Sequence, residues 1–336
     1  MTRPVRIANC SGFYGDRLAA AREMLTGPVD VLTGDYLAEL TMLILWKARQ
    51  KDPDLGYATT FLRQMEEVLG TCLERGVKVV ANAGGLNPAG LAAKNELVTP
   101  GVLTVGTDTP AYPPWFIGNN PANGKGYESG VAFAVAKEMG FSPSQVTWIR
   151  EPFSNSYAPG PKKFDFDINE ISFTPERATA VTFSDSYYAV EQALVALKGT
   201  PIVTKHSPSD LKGYVYGDQV GTTSLAFINT VIQPKKQPKV YNTLNDVKQA
   251  LQTHQIAALV TDTPTAQFIS SSEIKNSVLV GQFASTGEHY GLLFSKGNPL
   301  VTCVNQALAT LKTDGTLKAL QKKYLKIYLS VPTLKP

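Results

Sequence analysis

Cysteine and histidine are scarce in this chain, with three of each in 336 residues. Cys10, Cys72 and Cys303 lie too far apart for a metal-binding spacing or a disulfide framework, so each reads as a buried, reduced thiol. His206, His254 and His289 are equally scattered and form no HExxH-type pair, so no metal and no cofactor is expected. No apolar run reaches the roughly eighteen residues of a membrane-spanning helix, which argues against stable membrane insertion. Neither sign of charge dominates: 32 basic against 28 acidic residues leave a net +4. Without a basic stripe, a nucleic-acid partner is not expected. The opening residues, MTRPVRIANCSGFYGDR, lack the apolar core of a secretory leader, which places the chain as written in the cytoplasm.

What is present is ordinary for a soluble globular protein: 43% hydrophobic and 18% charged residues, and enough length for two or three units with cores of their own. The first part alternates strand and helix. Residues 5–9 (VRIAN) read as a buried strand, 18–25 as a helix, 29–33 as a strand, 37–51 and 59–75 as helices, and 77–81 (VKVVA) as a third strand. This is the βαβ pattern of a parallel, Rossmann-like half-sheet. Its strand-end loops, 11–16 and 82–88, match neither GxGxxG nor GxxxxGK[ST], so they read as tight turns. A half-sheet of this kind leaves an edge that must pair with something. The character of the chain changes near residues 93–96, where a junction is expected.

Beyond the junction, strands are expected at 103–107, 146–150, 164–166, 168–173, 181–183 and 192–197. A second set follows at 215–221, 239–241, 257–261 and 278–282. The chain then returns through a strand at 290–294 and closes with amphipathic helices at 299–314 and 316–327. An α/β lobe that is left near residue 197 and re-entered near 286 makes a two-stranded hinge, the architecture of a receptor that closes on its ligand. The segment 164–188, FDFDINEISFTPERATAVTFSDSYY, organises this reading. Thr174 suits an N-cap, Pro175 the first helical position and Glu176 the positive end of the helix. Arg177 then sits in the first turn, where its planar fork can grip a carboxylate twice. The plainer alternative is a surface arginine in a solvated turn. Asp262, before Thr-Pro, points from a strand end or merely caps a turn. Tyr187 and Tyr188 read as core.

EISFTPERATAVTFSDSYY resembles the TxxR…FS-PYY segment of the family 3 periplasmic solute-binding proteins, the polar amino-acid receptors of ABC importers. The resemblance runs over about two thirds of the chain. It implies a two-lobed, periplasmic-binding-protein-like type II α/β fold, with one lobe from 100–197 and 286–330 and the other from 198–285; the Rossmann-like half-sheet read above precedes it as a truncated segment at 1–94. It implies an amino-acid ligand, an ABC permease partner, a periplasmic or cell-surface location and no catalytic residue. Asp108, Tyr112, Phe153, Glu170, Ser172, Arg177, Thr222, Thr223 and Asp262 fall on the family's contact positions. Trp115 and Ser224 extend the same set, Trp115 as a flat apolar wall and Ser224 as a donor at a helix start. In this arrangement Arg177 clamps the ligand's carboxylate and Asp262 meets its ammonium group across a shared gap. Glu170 departs from the family, which usually has a small residue there, and its added acidity points to a polar or cationic amino acid. An enzyme on the same scaffold, of cyclohexadienyl dehydratase type with Glu170 as acid, is the alternative. RIANCSGFYGDR, DVLTGDYLAELTM and VVANAGGLNPAGLA resemble the opening of the acyclic terpene utilisation protein family. That family's domain runs much longer, so the third reading, a terpene-utilisation protein, is disfavoured.

Overall fold

In the computed structural model the described residues are 4–52, 55–87, 97–99, 101–205, 207–325, 331 and 333–334. They divide into one unit within 1–103 and 136–145 and another within 104–135 and 146–336. The junction expected at residues 93–96 lies outside the described residues.

The first unit carries a parallel three-stranded sheet of β1 (Ile7–Asn9), β2 (Val31–Gly34) and β3 (Lys78–Ala81), in that spatial order. Helix α1 (Ala20–Met24) follows β1, and α2 (Glu39–Lys51) and α3 (Thr59–Arg75) connect β2 to β3. Register aligns Ala8, Leu32 and Val79 on one face. That face meets Ala21 and Leu25 around α1 and Met65, Val68 and Cys72 of α3, which recur at helical spacing. Cys10 and Cys72 are buried free thiols, as expected. The strand-end loops tie themselves down: Asp16 accepts from the Gly12 amide at 2.9 Å, and Asn82 from the Tyr36 amide at 2.8 Å.

The second unit holds two principal sheets. A five-stranded sheet runs in the order β5 (Val146–Arg150), β4 (Leu103–Thr107), β6 (Phe166–Asp167), β13 (His289–Ser295), β7 (Val181–Ala189). Helices α4 (Tyr127–Glu138), α5 (Arg177–Ala180), α9 (Leu300–Thr313) and α10 (Thr316–Tyr324) accompany it, with α9 packed on β7. The other sheet centres on β8 (Gln192–Leu197), paired antiparallel with β11 (Ala258–Asp262) and β12 (Ser277–Gln282). Beside it, β9 (Gly217–Gln219) and β10 (Lys239–Tyr241) pair in parallel. Helices α6 (Thr223–Phe227), α7 (Leu244–Gln252) and α8 (Thr263–Phe268) complete this region.

Each residue of β8 is buried, and alternate side chains enter two different cores. Ala193, Val195 and Leu197 pack with Val247 and Leu251 of α7, while Leu194 and Ala196 pack with Tyr216, Ile228 and Ile232. A strand covered on both faces reads as a continuous apolar run, which is what ALVAL is. The segment 192–197 was expected to close the first lobe at the hinge. Its pairing with β11 and β12 makes it instead the middle of the second sheet, and the crossing lies just before it. The two crossings, 190–191 and 283–288, run side by side, with the Val190 amide donating to the Glu288 carbonyl at 2.9 Å.

The expected strand 168–173 is irregular. It touches β13 through a single bridge, Ser172 to Tyr290, because Glu170 takes a left-handed backbone (φ 53°) that breaks the ladder. The closing helix ends among the described residues at Tyr324, and the last expected positions lie outside them.

Candidate functional site

A cleft forms where the two principal sheets approach. The described residues that line it include eight of the eleven expected from sequence: Asp108, Tyr112, Phe153, Glu170, Thr222, Thr223, Ser224 and Asp262. Asp108 leaves the end of β4 and is held by two backbone amides, Thr109 at 2.6 Å and Phe153 at 3.1 Å. Asp262 ends β11 and caps α8, accepting from the Thr265 amide at 2.9 Å. The two readings of Asp262 are thus both met, since it caps a helix and still faces the cleft. Burial, opposed by hydrogen bonds from Thr265 and Thr261, raises its pKa to about 6.

Glu170 occupies its strained position because its amide donates to Glu128 Oε1 at 2.8 Å. Glu128 is fully buried and also accepts from the Tyr187 hydroxyl. Desolvation drives the Glu128 pKa up to about 8. Glu170 is also raised well above the carboxylate range, first by desolvation and then by the charges of Asp262 and Glu128. Thr265 Oγ1 donates to Glu170 Oε2 at 3.5 Å and itself accepts from the Trp115 indole at 2.8 Å.

Three expected residues sit behind the lining. Trp115 has no exposed surface; it packs edge-on against Tyr127, Tyr188 and Tyr290. Its role is to hold Thr265 and Tyr290 rather than to face a ligand. Gly126 (φ 108°) makes that burial possible, since a Cβ there would stand 2.2 Å from the Trp115 carbonyl oxygen. Ser172 is buried, and its hydroxyl donates to Glu288. Arg177 does receive the expected local cap, with Thr174 Oγ1 accepting from its amide at 3.1 Å. Its guanidinium, however, donates to the Ser172 and Gly221 carbonyls, both at 2.8 Å, and lies over the Tyr157 ring at 4.5 Å. It opens on a neighbouring hollow that shares Thr222 and Thr223 with the cleft. The facing pair of Arg177 and Asp262 expected across one gap is therefore not what the structure shows.

Sequence reasoning missed Asn169, Asp218 and Tyr290, which also line the cleft. Asp218 lay inside an expected strand, 215–221. The observed strand stops at Gln219, so Asp218 stands near a strand end, as Asp262 does. It is buried, and one carboxylate oxygen accepts from the Gln219 amide at 2.7 Å. Burial raises its pKa well above the usual range. Four carboxylates thus line the cleft, against aromatic faces from Tyr112, Phe153 and Tyr290. No lysine, arginine or histidine is among the described lining residues.

The model of the bacterial extracellular solute-binding proteins, family 3, matches residues 103–327, and that of the acyclic terpene utilisation family protein AtuA matches 5–100. The lysine/arginine/ornithine-binding periplasmic protein of Escherichia coli (strain K12) is 27% identical over 243 residues, 69% of this chain and 91% of that protein. An ancestral arginine-binding protein bound to arginine is 30% identical, with TM-score 0.57 over 67% of this chain and 98% of that one. An ancestral amino acid-binding protein described as a precursor of cyclohexadienyl dehydratase is 28% identical, with TM-score 0.56 over 67% of this chain and 95% of that one. The two-sheet architecture, the cleft between the sheets and a family match over most of the chain agree: this chain belongs to the bacterial extracellular solute-binding proteins, family 3.

Proposed function

We propose that the chain captures a free amino acid with a cationic side chain in this cleft and hands it to an ABC permease, without catalysis. The observation that carries the reading is the lining: Asp108, Glu170, Asp218 and Asp262, with no cationic side chain among the described lining residues. Asp108 already has Arg150 Nε at 3.8 Å, but Asp218 and Asp262 are buried, and buried carboxylates are costly unless a positive partner joins them. An ammonium or guanidinium ligand would supply that partner, and the face of Tyr290 would favour it further through cation–π attraction, the rings of Tyr112 and Phe153 already carrying Lys248 at 5.0 Å and Arg177 at 5.5 Å. Capture would then favour the closed arrangement only as far as the ligand touches both regions. The family and its periplasmic relatives support delivery from outside the cytoplasmic membrane.

Isothermal titration with arginine, lysine, glutamine and glutamate tests the reading. Arginine or lysine should bind tightest among the four, and glutamate in that place would overturn it. The dehydratase alternative has one observation in its favour. Glu170 lines the cleft with a raised pKa, as a general acid requires. The relatives named for amino-acid binding and the acidic lining, which suits a cationic side chain, favour the binding reading over this single feature. Turnover of a cyclohexadienyl acid by the purified chain would reverse that order.

A further inference from the structure

A buried lysine stands behind one wall of the cleft. Along α7 the apolar positions Leu244, Val247, Ala250 and Leu251 recur at helical spacing, and Leu244 lines the cleft. Lys248, one turn after Leu244, falls on the same stripe and is 9% exposed. A buried ammonium is costly unless it is paired. Glu273, between α8 and β12, supplies the pair: both its carboxylate oxygens accept from Lys248 Nζ at 3.0 Å. Glu273 thus matches the charge, and the lining keeps its acidic character. The ammonium also lies 5.0 Å from the centroid of the Tyr112 ring. Tyr112 lines the cleft from the chain that follows β4, whereas α7 packs on β8 through Val247 and Leu251. The Tyr112 hydroxyl stands against the Asn245 amide, in the first turn of the same helix. One aromatic side chain therefore meets α7 at two points, ring and hydroxyl, from the opposite sheet.

We propose that Lys248 is a positioning residue for capture: anchored by Glu273, it clasps Tyr112 across the cleft and slows release of the bound amino acid. This rests on the reading of the cleft as the binding site, and is independent of which amino acid it takes. Lys248 is not itself among the lining residues, so it acts through Tyr112. Tyr112 and α7 belong to opposite sides, and their contact forms only when those sides meet. A contact of that kind raises the share of the closed arrangement, and with it the affinity. It is absent while the sides are apart, so its effect falls on release more than on encounter.

Release of arginine from the full chain, followed by stopped-flow fluorescence, tests the clasp; lysine, glutamine or glutamate takes its place if one of these binds tighter. Lys248→Met should speed release by roughly 2- to 30-fold, the range of a single cation–π contact. The association rate should move by less than about twofold. Lys248→Arg keeps the cation and should keep release slow. Glu273→Gln loosens the anchor and should fall between the two. In a Tyr112→Leu background, Lys248→Met should change release no further, because the ring it holds is gone. If Lys248→Met does not fold, Glu273→Gln with and without Tyr112→Leu carries the same comparison. Release that Lys248→Met leaves unmoved, or speeds equally with and without the Tyr112 ring, would reduce the lysine to a structural ion pair and overturn the proposal. With one of the four amino acids bound, such a result leaves the reading of the cleft standing. If none of the four binds, that reading fails and this inference falls with it.

Discussion

The two units use β-strands differently. In the first, alternate strand positions stay exposed: Ile7 of β1 is 66% exposed and Val80 of β3 is 59% exposed, on the face opposite Leu32. Along α2, Leu40, Leu43, Ile44 and Trp46 are exposed as well. In the second, β4, β8 and β11 are buried at each position. Parallel sheets are ordinarily covered on both faces, since their crossover helices pack there. The first unit has one covered face among the described residues, while β8 separates two full cores. Apolar surface removed from water is the main favourable term in folding. The second unit is therefore expected to hold the cooperative stability that keeps a cleft in shape, and the first to open more readily.

The sharpest test of that contrast is Trp115→Ala. Removing a fully buried indole should cost about 3–5 kcal/mol, seen as a lower urea midpoint for the second unit, with the transition of the first unit unmoved. A loss shared equally by both would show that they unfold as one body and would break the comparison.

Next in size is the response to pH. The Asp262 pKa rises from an ordinary 3.8 to about 6, and that of Glu128 from 4.5 to about 8, chiefly through burial. Both folded values exceed the unfolded ones, so between those limits the native state binds more protons. Stability should accordingly fall as pH rises through about 4–8, by about 1.4 kcal/mol for each unit of pKa separation. A cationic ligand should bind more tightly over the same rise, because it favours the ionised carboxylates. Urea titrations at pH 4, 6 and 8, with and without ligand, read both trends, and a second unit that strengthens towards pH 8 without ligand would contradict them.

A smaller effect is expected at residue 170. Glu170 has φ 53°, a conformation that glycine adopts freely. Glu170→Gly should relieve about 1 kcal/mol or more of strain while weakening the binding of a cation. Raised stability with lower affinity would mark a position held for recognition. The least effect belongs to Trp46→Ala: a residue 52% exposed should shift the melting curve of the first unit by no more than about 0.5 kcal/mol. A larger loss would mean that the helix face is covered in solution.

Local pattern made much of this legible. The expected helix at Thr59–Arg75 and the strands Leu103–Thr107, Val146–Arg150, Gln192–Leu197 and Lys239–Tyr241 coincide with the observed bounds. They are runs whose apolar period, or continuous apolarity, admits one answer. Strand ends next to acids gave Asp108 and Asp262 their place in the cleft, and the cap at Thr174 follows from its neighbours. Asp218 escaped notice because the strand containing it was read two residues too long at either end.

Residue type and local order were enough to settle which segments become strands and helices, where the acidic strand ends fall and which thiols are buried. These depend on neighbours a few positions away. The partners of the long polar side chains were decided by the folded chain alone. Trp115 finds Thr265 across 150 positions, Glu288 finds Ser172 across 116, and Arg177 turns to the carbonyl of Gly221, 44 positions on. A flexible side chain in a closing cleft takes whichever partner packing brings within hydrogen-bond reach, and packing is a property of the whole fold.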